Sequence, residues 1–140
     1  MPDRATIFWP VLAMAVLTFA VAIRMFVIRV GEMRARRIHP QAVATSREAA
    51  TQFQDVAAAD NFRNLFELPV LFYVLCLALY VTDGVTVLQL GLAWTFVALR
   101  CVHSLVHVTY NKVMHRFRAY ALGLVVLMAM WIAFALHLAG

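Results

Sequence analysis

Charge is what this chain has least of: 14% of its 140 residues are Asp, Glu, Lys or Arg, against 64% that are hydrophobic. An ordinary soluble domain carries roughly a quarter charged residues, so that class is excluded and a bilayer is the expected solvent. Cysteine is nearly absent. The two present, Cys76 and Cys101, fall inside apolar stretches at different expected depths, which argues for small packing residues rather than a disulfide. There is no internal repeat, no low-complexity segment and no Gly-x-x-x-Gly; Ala129 and Ala133 offer a weaker small-residue packing face. A separate soluble domain also lacks room. The one long segment outside the apolar stretches runs from about residue 29 to 63, short of the ~50 residues at which independent domains begin.

Crossing the hydrocarbon core by helix takes roughly 17 to 25 mainly apolar residues. Stretches of that kind occupy about 7–28, 65–81, 85–108 and 120–138, and predict an all-α, integral membrane four-helix bundle forming one domain over 1–140. Ala20-Val21-Ala22 has the form of a signal-peptide cleavage site, but the apolar run continues through Met25-Phe26-Val27-Ile28 into an Arg-rich flank. The first stretch therefore reads as a span.

The net charge of +5 would suggest nucleic acid in a soluble protein, yet here the basic residues flank the spans and set orientation instead. Arg24, Arg29, Arg34, Arg36, Arg37, Arg47 and Arg63 form one group, and Lys112, Arg116 and Arg118 the other. The positive-inside rule then predicts a multi-pass protein of a cell inner membrane, with both basic loops cytoplasmic and both termini outside. The connection from the second span to the third is the short Thr82-Asp83-Gly84 turn, so these helices are expected to be antiparallel neighbours with level ends. Two starts for the second helix stay open. The composition of 41–59 favours helix well before the membrane, while Asp60 and Asn61 are suited to capping a start before Phe62.

Ionisable side chains inside a span cost ~2.5 to 3.5 kcal/mol near its centre, so each needs a reason. On the second helix Asn64 and Glu67, three apart, share a face, and Arg63 and Glu67, four apart, are placed to pair. On the third, Arg100, His103, His107, Tyr110 and Asn111 fall in one stripe about 100° wide, with Cys101, Val102, Leu105, Val106 and Val108 apolar beside it. Arg100 lies about 15 Å and Glu67 about 5 Å from the cytoplasmic ends of their helices. With Arg116 and Arg118 in the loop just outside, the spacing predicts a basic, cytoplasm-facing pocket holding one carboxylate, fit for a small anion that carries an amine.

These residues resemble the MAPEG family, the membrane-associated proteins of eicosanoid and glutathione metabolism, and within it the bacterial-type proteins like microsomal glutathione transferase. The resemblance rests on the run from Asn61 through Arg63-Asn64-Leu65-Phe66-Glu67-Leu68-Pro69 to Tyr73, with its Asn-x-x-Glu, and on Arg100-x-x-His103-x-x-x-His107-x-x-Tyr110-Asn111 followed by Arg116. It implies a homotrimer that binds glutathione as co-substrate between subunits near the cytoplasmic face, and a lipophilic small molecule arriving through the bilayer. Asn64, Glu67, Arg100, His103, His107 and Tyr110 are the implied binding residues, with Glu67 for the α-amine and Arg100 with loop arginines for carboxylates. Arg116 matches the catalytic arginine that stabilises the thiolate. Asp60 stands where eicosanoid-forming members have arginine, and His103 and His107 where they have tyrosine. The implied activity is therefore glutathione conjugation or lipid-peroxide reduction rather than leukotriene synthesis.

Two other classes compete. A metal or haem centre on His103 and His107 is disfavoured, because the segment lacks the Glu of the zinc-protease motif and one helix face cannot supply both axial haem ligands; no metal is expected. A non-catalytic binding or scaffold protein, in which the polar stripe fixes helix register or oligomer state, is the alternative.

Overall fold

The computed structural model describes residues 2–139. Among the described residues all regular structure is helical: α1 (Phe8–Arg36), α2 (Ser46–Gln52), α3 (Ala57–Asn64), α4 (Leu68–Val81), α5 (Val87–Val108) and α6 (Val113–Ala139), with single 3-10 turns at Arg4–Ile7 and Pro40–Val43. Four helical units are long and apolar enough to cross a membrane, the second being α3 and α4 together. The chain is a multi-pass integral membrane protein.

Several helix boundaries have a local cause. Asp3 accepts a hydrogen bond from the Ala5 N–H at 3.0 Å and starts the first turn, and Pro10, in the opening turn of α1, gives up an N–H that has no partner there anyway. α1 runs past the expected 28 to Arg36 because its end is set by Arg37 in the left-handed region (φ 53°), not by the loss of apolar residues. Thr45 and Glu48 close a capping box on α2. That segment is tied back to α1 by Glu32, whose Oε1 accepts from Arg36 Nη1 at 2.9 Å and from the Gln54 N–H at 2.6 Å.

The second span departs from a plain helix, and of the two anticipated starts the earlier agrees with the structure: α3 begins at Ala57, within 41–59, where the Asp55 side chain accepts from the Ala57 N–H, so Asp60 and Asn61 lie inside α3 instead of capping it. The helix then breaks at residues 65–67. Pro69 has no N–H to give to the preceding turn, so α4 starts afresh at Leu68 with Glu67 in an irregular conformation (φ −95°, ψ −97°). The break removes the four-apart relation expected of Arg63 and Glu67. Arg63 lies 3.8 Å from Asp60 instead.

The connection to the third span is residues 82–86 rather than three residues, because Thr86 caps α5 by accepting from the Gln89 N–H. The fourth helix begins at Val113, not near 120, which places Arg116 and Arg118 on α6 rather than in a loop. α5 and α6 form the most extensive pair. The core combines Ile7, Met14, Leu75, Leu79, Leu127 and Met130 with the stacked rings of Phe72 and Phe96, 4.8 Å apart. Gln89, buried at this level, donates to the Met130 carbonyl at 3.0 Å. Phe19, Ile23 and Phe26 on α1, with Val125 and Ile132 on α6, point outward, as lipid-facing side chains do.

At one end of the bundle, Arg4 pairs with Asp83 at 2.9 Å and His137 Nε2 meets the Thr82 carbonyl at 3.3 Å. At the other lie the basic segments, α2, α3 and the functional side chains.

Candidate functional site

At the basic end a cleft of about 360 Å³ opens between α3–α4 and α5–α6. Asn64 and Glu67 line one side; His103, His107, Arg116 and Tyr120 line the other, with Asp60, Arg63, Val113 and Phe117 at the margins. Five of the residues singled out in the sequence, Asn64, Glu67, His103, His107 and Arg116, thus meet in one cavity.

Arg116 is the most constrained of them. Its Nη1 donates to Asn111 Oδ1 at 2.7 Å and to His107 Nδ1 at 3.3 Å. Since an arginine only donates, His107 Nδ1 must accept, so the ring is neutral and carries its proton on Nε2. That Nε2 lies 3.4 Å from the Asn64 side-chain amide. The contact is satisfied when Asn64 turns its oxygen to the ring, giving a chain Arg116, His107, Asn64 across the cleft. His103 holds the same arginine from behind: its Nδ1 is 3.1 Å from the Arg116 carbonyl, which only accepts. The His103 proton therefore sits on Nδ1. Its Nε2 is buried with no partner among the described residues.

The helix break has a direct effect on Glu67. It occupies the N-cap position of α4 yet makes no side-chain cap bond, so the carboxylate is free to face the cleft. The Tyr120 hydroxyl donates to its Oε2 at 3.5 Å. Tyr120 is a wall residue that hydropathy counted only as the start of a span; its phenol carries the polar group that an apolar tally hides.

Arg100 lies behind this wall rather than on it. It is 1% exposed, sandwiched with its guanidinium carbon 5.4 Å from the Phe96 ring centre and 5.0 Å from that of Tyr120, and Nη2 donates to the Tyr120 carbonyl at 3.2 Å. Gly123 makes the space: a Cβ there would come within 2.5 Å of Nη2. Beyond Arg100, α5 buries a second polar pair, Ser104 donating to Asn61 Oδ1 at 3.0 Å, which docks α3 onto α5.

Tyr110 is not brought to the cleft. α5 ends at Val108 and Asn111 turns left-handed (φ 48°), so the expected stripe stops at His107. The Tyr110 hydroxyl instead meets His115 Nδ1 at 2.9 Å and lines a separate groove with Leu99 and Val102. Asn111 keeps a role through its bond to Arg116. Among the described residues no three His, Cys, Asp or Glu side chains converge as metal ligands would. Cys76 is buried and Cys101 exposed, and neither lines the cleft.

No curated protein and no solved structure matches this chain. A family model does, over residues 7–136, nearly the whole length and including every residue that lines the cleft. With its helical membrane bundle, the chain belongs to the MAPEG family.

Proposed function

We propose that the cleft binds glutathione and that the protein either conjugates it to a lipophilic electrophile or uses it to reduce a lipid peroxide. Family membership supports a membrane function of the glutathione- or eicosanoid-related kind. The observation that carries the finer reading is the pairing, in one cavity, of an uncapped carboxylate, Glu67, with a guanidinium oriented by His107 and Asn111. Glutathione carries an α-ammonium, two carboxylates and a thiol, so it needs both signs of charge.

Glu67 suits the ammonium. Asn64 suits the peptide, and Arg63 at the rim suits a carboxylate. Arg116 spends Nη1 on its two supports, leaving its other N–H groups for the sulfur. A free thiol has a pKa of about 8.5, and a fixed cation beside it favours the thiolate, which is the nucleophile. In conjugation the sulfur forms a bond to the electrophilic carbon as the leaving group departs with its electron pair, or as a proton is added. In peroxide reduction the thiolate sulfur takes the distal oxygen and becomes a sulfenic acid, the alkoxide leaves and is protonated, and the thiol of a second glutathione displaces water from that sulfur to give the disulfide. Phe117 and Tyr120 offer an apolar approach from the bilayer side. Arg100, behind Tyr120, contributes positive charge without contact.

The same reading includes the basic end facing the cytoplasm, both termini outside, and a homotrimer in which a neighbour covers the open side of the cleft.

Titration of detergent-solubilised protein with glutathione, followed by calorimetry and by near-ultraviolet thiolate absorbance, is the test. The unmutated protein should bind saturably and show thiolate. Glu67→Ala should weaken binding about tenfold or more, the scale of a lost charge-assisted contact, whereas Arg116→Ala should bind but lose the absorbance. Saturable binding with no thiolate selects the non-catalytic role. No binding at all defeats the glutathione proposal.

A further inference from the structure

A second recess, of about 260 Å³, lies between α1, α2 and α3 and borders the cleft at Asp60 and Arg63. We propose that it binds a phosphate group at the membrane surface, supplied by an anionic phospholipid headgroup. Its walls bring together Arg29 of α1 and Arg47 of α2 with the Ser46 hydroxyl, over a floor formed by Ala49 and Phe53, while Arg63 stands at the border with the cleft, paired with Asp60.

The acidic residues at the recess are already engaged. Asp60 is 3.8 Å from Arg63; Asp55 is 4.0 Å from Arg24 and accepts from the Ala57 N–H. Arg29 and Arg47, in contrast, have no carboxylate at ion-pair distance among the described residues. Arg29 is also held in place: its guanidinium carbon lies 5.4 Å from the centre of the Phe53 ring, a cation–π contact that uses none of the N–H groups a phosphate would take.

The recess is a fixed shape rather than a loose loop. The α2 capping box, the bonds of Glu32 to Arg36 and Gln54, and the bond from Arg36 to the Gln52 carbonyl hold its rim to α1. Depth selects the source of the phosphate. Arg29 directly follows the apolar run of 7–28, at the boundary where hydrocarbon gives way to headgroups. Phe26 and Val27, exposed on the preceding turn, offer apolar surface to acyl chains. Basic recesses at this level are suited to anionic lipid, each arginine strengthening attachment to a phosphate-bearing surface.

The test uses the full-length protein in mild detergent, given phosphatidylglycerol or phosphatidylcholine in mixed micelles, with retained lipid counted by native mass spectrometry; inorganic phosphate is titrated in a separate arm. Phosphatidylglycerol should be retained and phosphatidylcholine should not. Arg29→Gln with Arg47→Gln should weaken retention roughly 10- to 30-fold, the scale of two lost surface cations. Arg47→Glu alone, at an exposed position on α2, should also weaken it, and serves if the double variant fails to fold. Equal retention of the two lipids, or undiminished retention by a folded variant, overturns the proposal. Binding of inorganic phosphate without retention of phosphatidylglycerol overturns the headgroup assignment and identifies a soluble phosphate instead.

Discussion

His107 does two things at once: it accepts from Arg116 and, through its other nitrogen, meets Asn64 across the cleft. Replacing it with leucine leaves Arg116 on Asn111 alone. His107→Leu should lower thiolate absorbance at saturating glutathione, and His107→Gln, which keeps an acceptor, should recover much of it; equal loss in both would show that the bond to Arg116 is not what orients it. Gly123 supports the site from further back. Gly123→Ala gains up to about 1 kcal/mol of helix propensity, but the new Cβ meets Arg100 Nη2 at 2.5 Å. That guanidinium is hemmed in by Phe96 and Tyr120 and cannot simply swing aside. Overpacking of about 1 to 3 kcal/mol should win, and the melting temperature in detergent should fall.

Among the elements, the break between α3 and α4 matters most for chemistry, since it frees Glu67 from the helix that carries it. Pro69→Ala restores the missing N–H and allows the helix to run through, which should weaken glutathione affinity by more than it changes the melting temperature. An unchanged affinity would mean that Glu67 reaches the cleft without the break. The four spans were legible in the sequence because hydropathy over some twenty residues is a property of composition, and the polar face of α5 was legible as far as His107. The break was not, since Pro69 in a first turn looks the same in a tilted helix as in an interrupted one. Tyr110 departs from the stripe for a related reason: a period of 3.6 says nothing about where a helix stops, and here the stop depends on a left-handed Asn111. Arg116 stands out in the sequence by type and order, but its place on α6 depends on a helix start at Val113, outside the apolar stretch.

For the whole molecule, charge asymmetry makes the boldest statement. In a background without Cys76 and Cys101, a cysteine at Thr82 should react with a membrane-impermeant maleimide added to intact cells, and one at His39 only after permeabilisation; the opposite pattern would invert the proposed topology. The end that carries Thr82 has a property of its own. Arg4 is bonded to Asp83 and His137 to Thr82, so two side chains 133 positions apart, from 4 to 137, are held by neighbouring residues of one turn. A short linker should therefore reach from residue 137 to residue 4, and a circular permutant of this bundle reopened in the exposed stretch near His39 should still assemble. In such a protein the order in which the helices are synthesised would differ while their neighbours in space stayed the same.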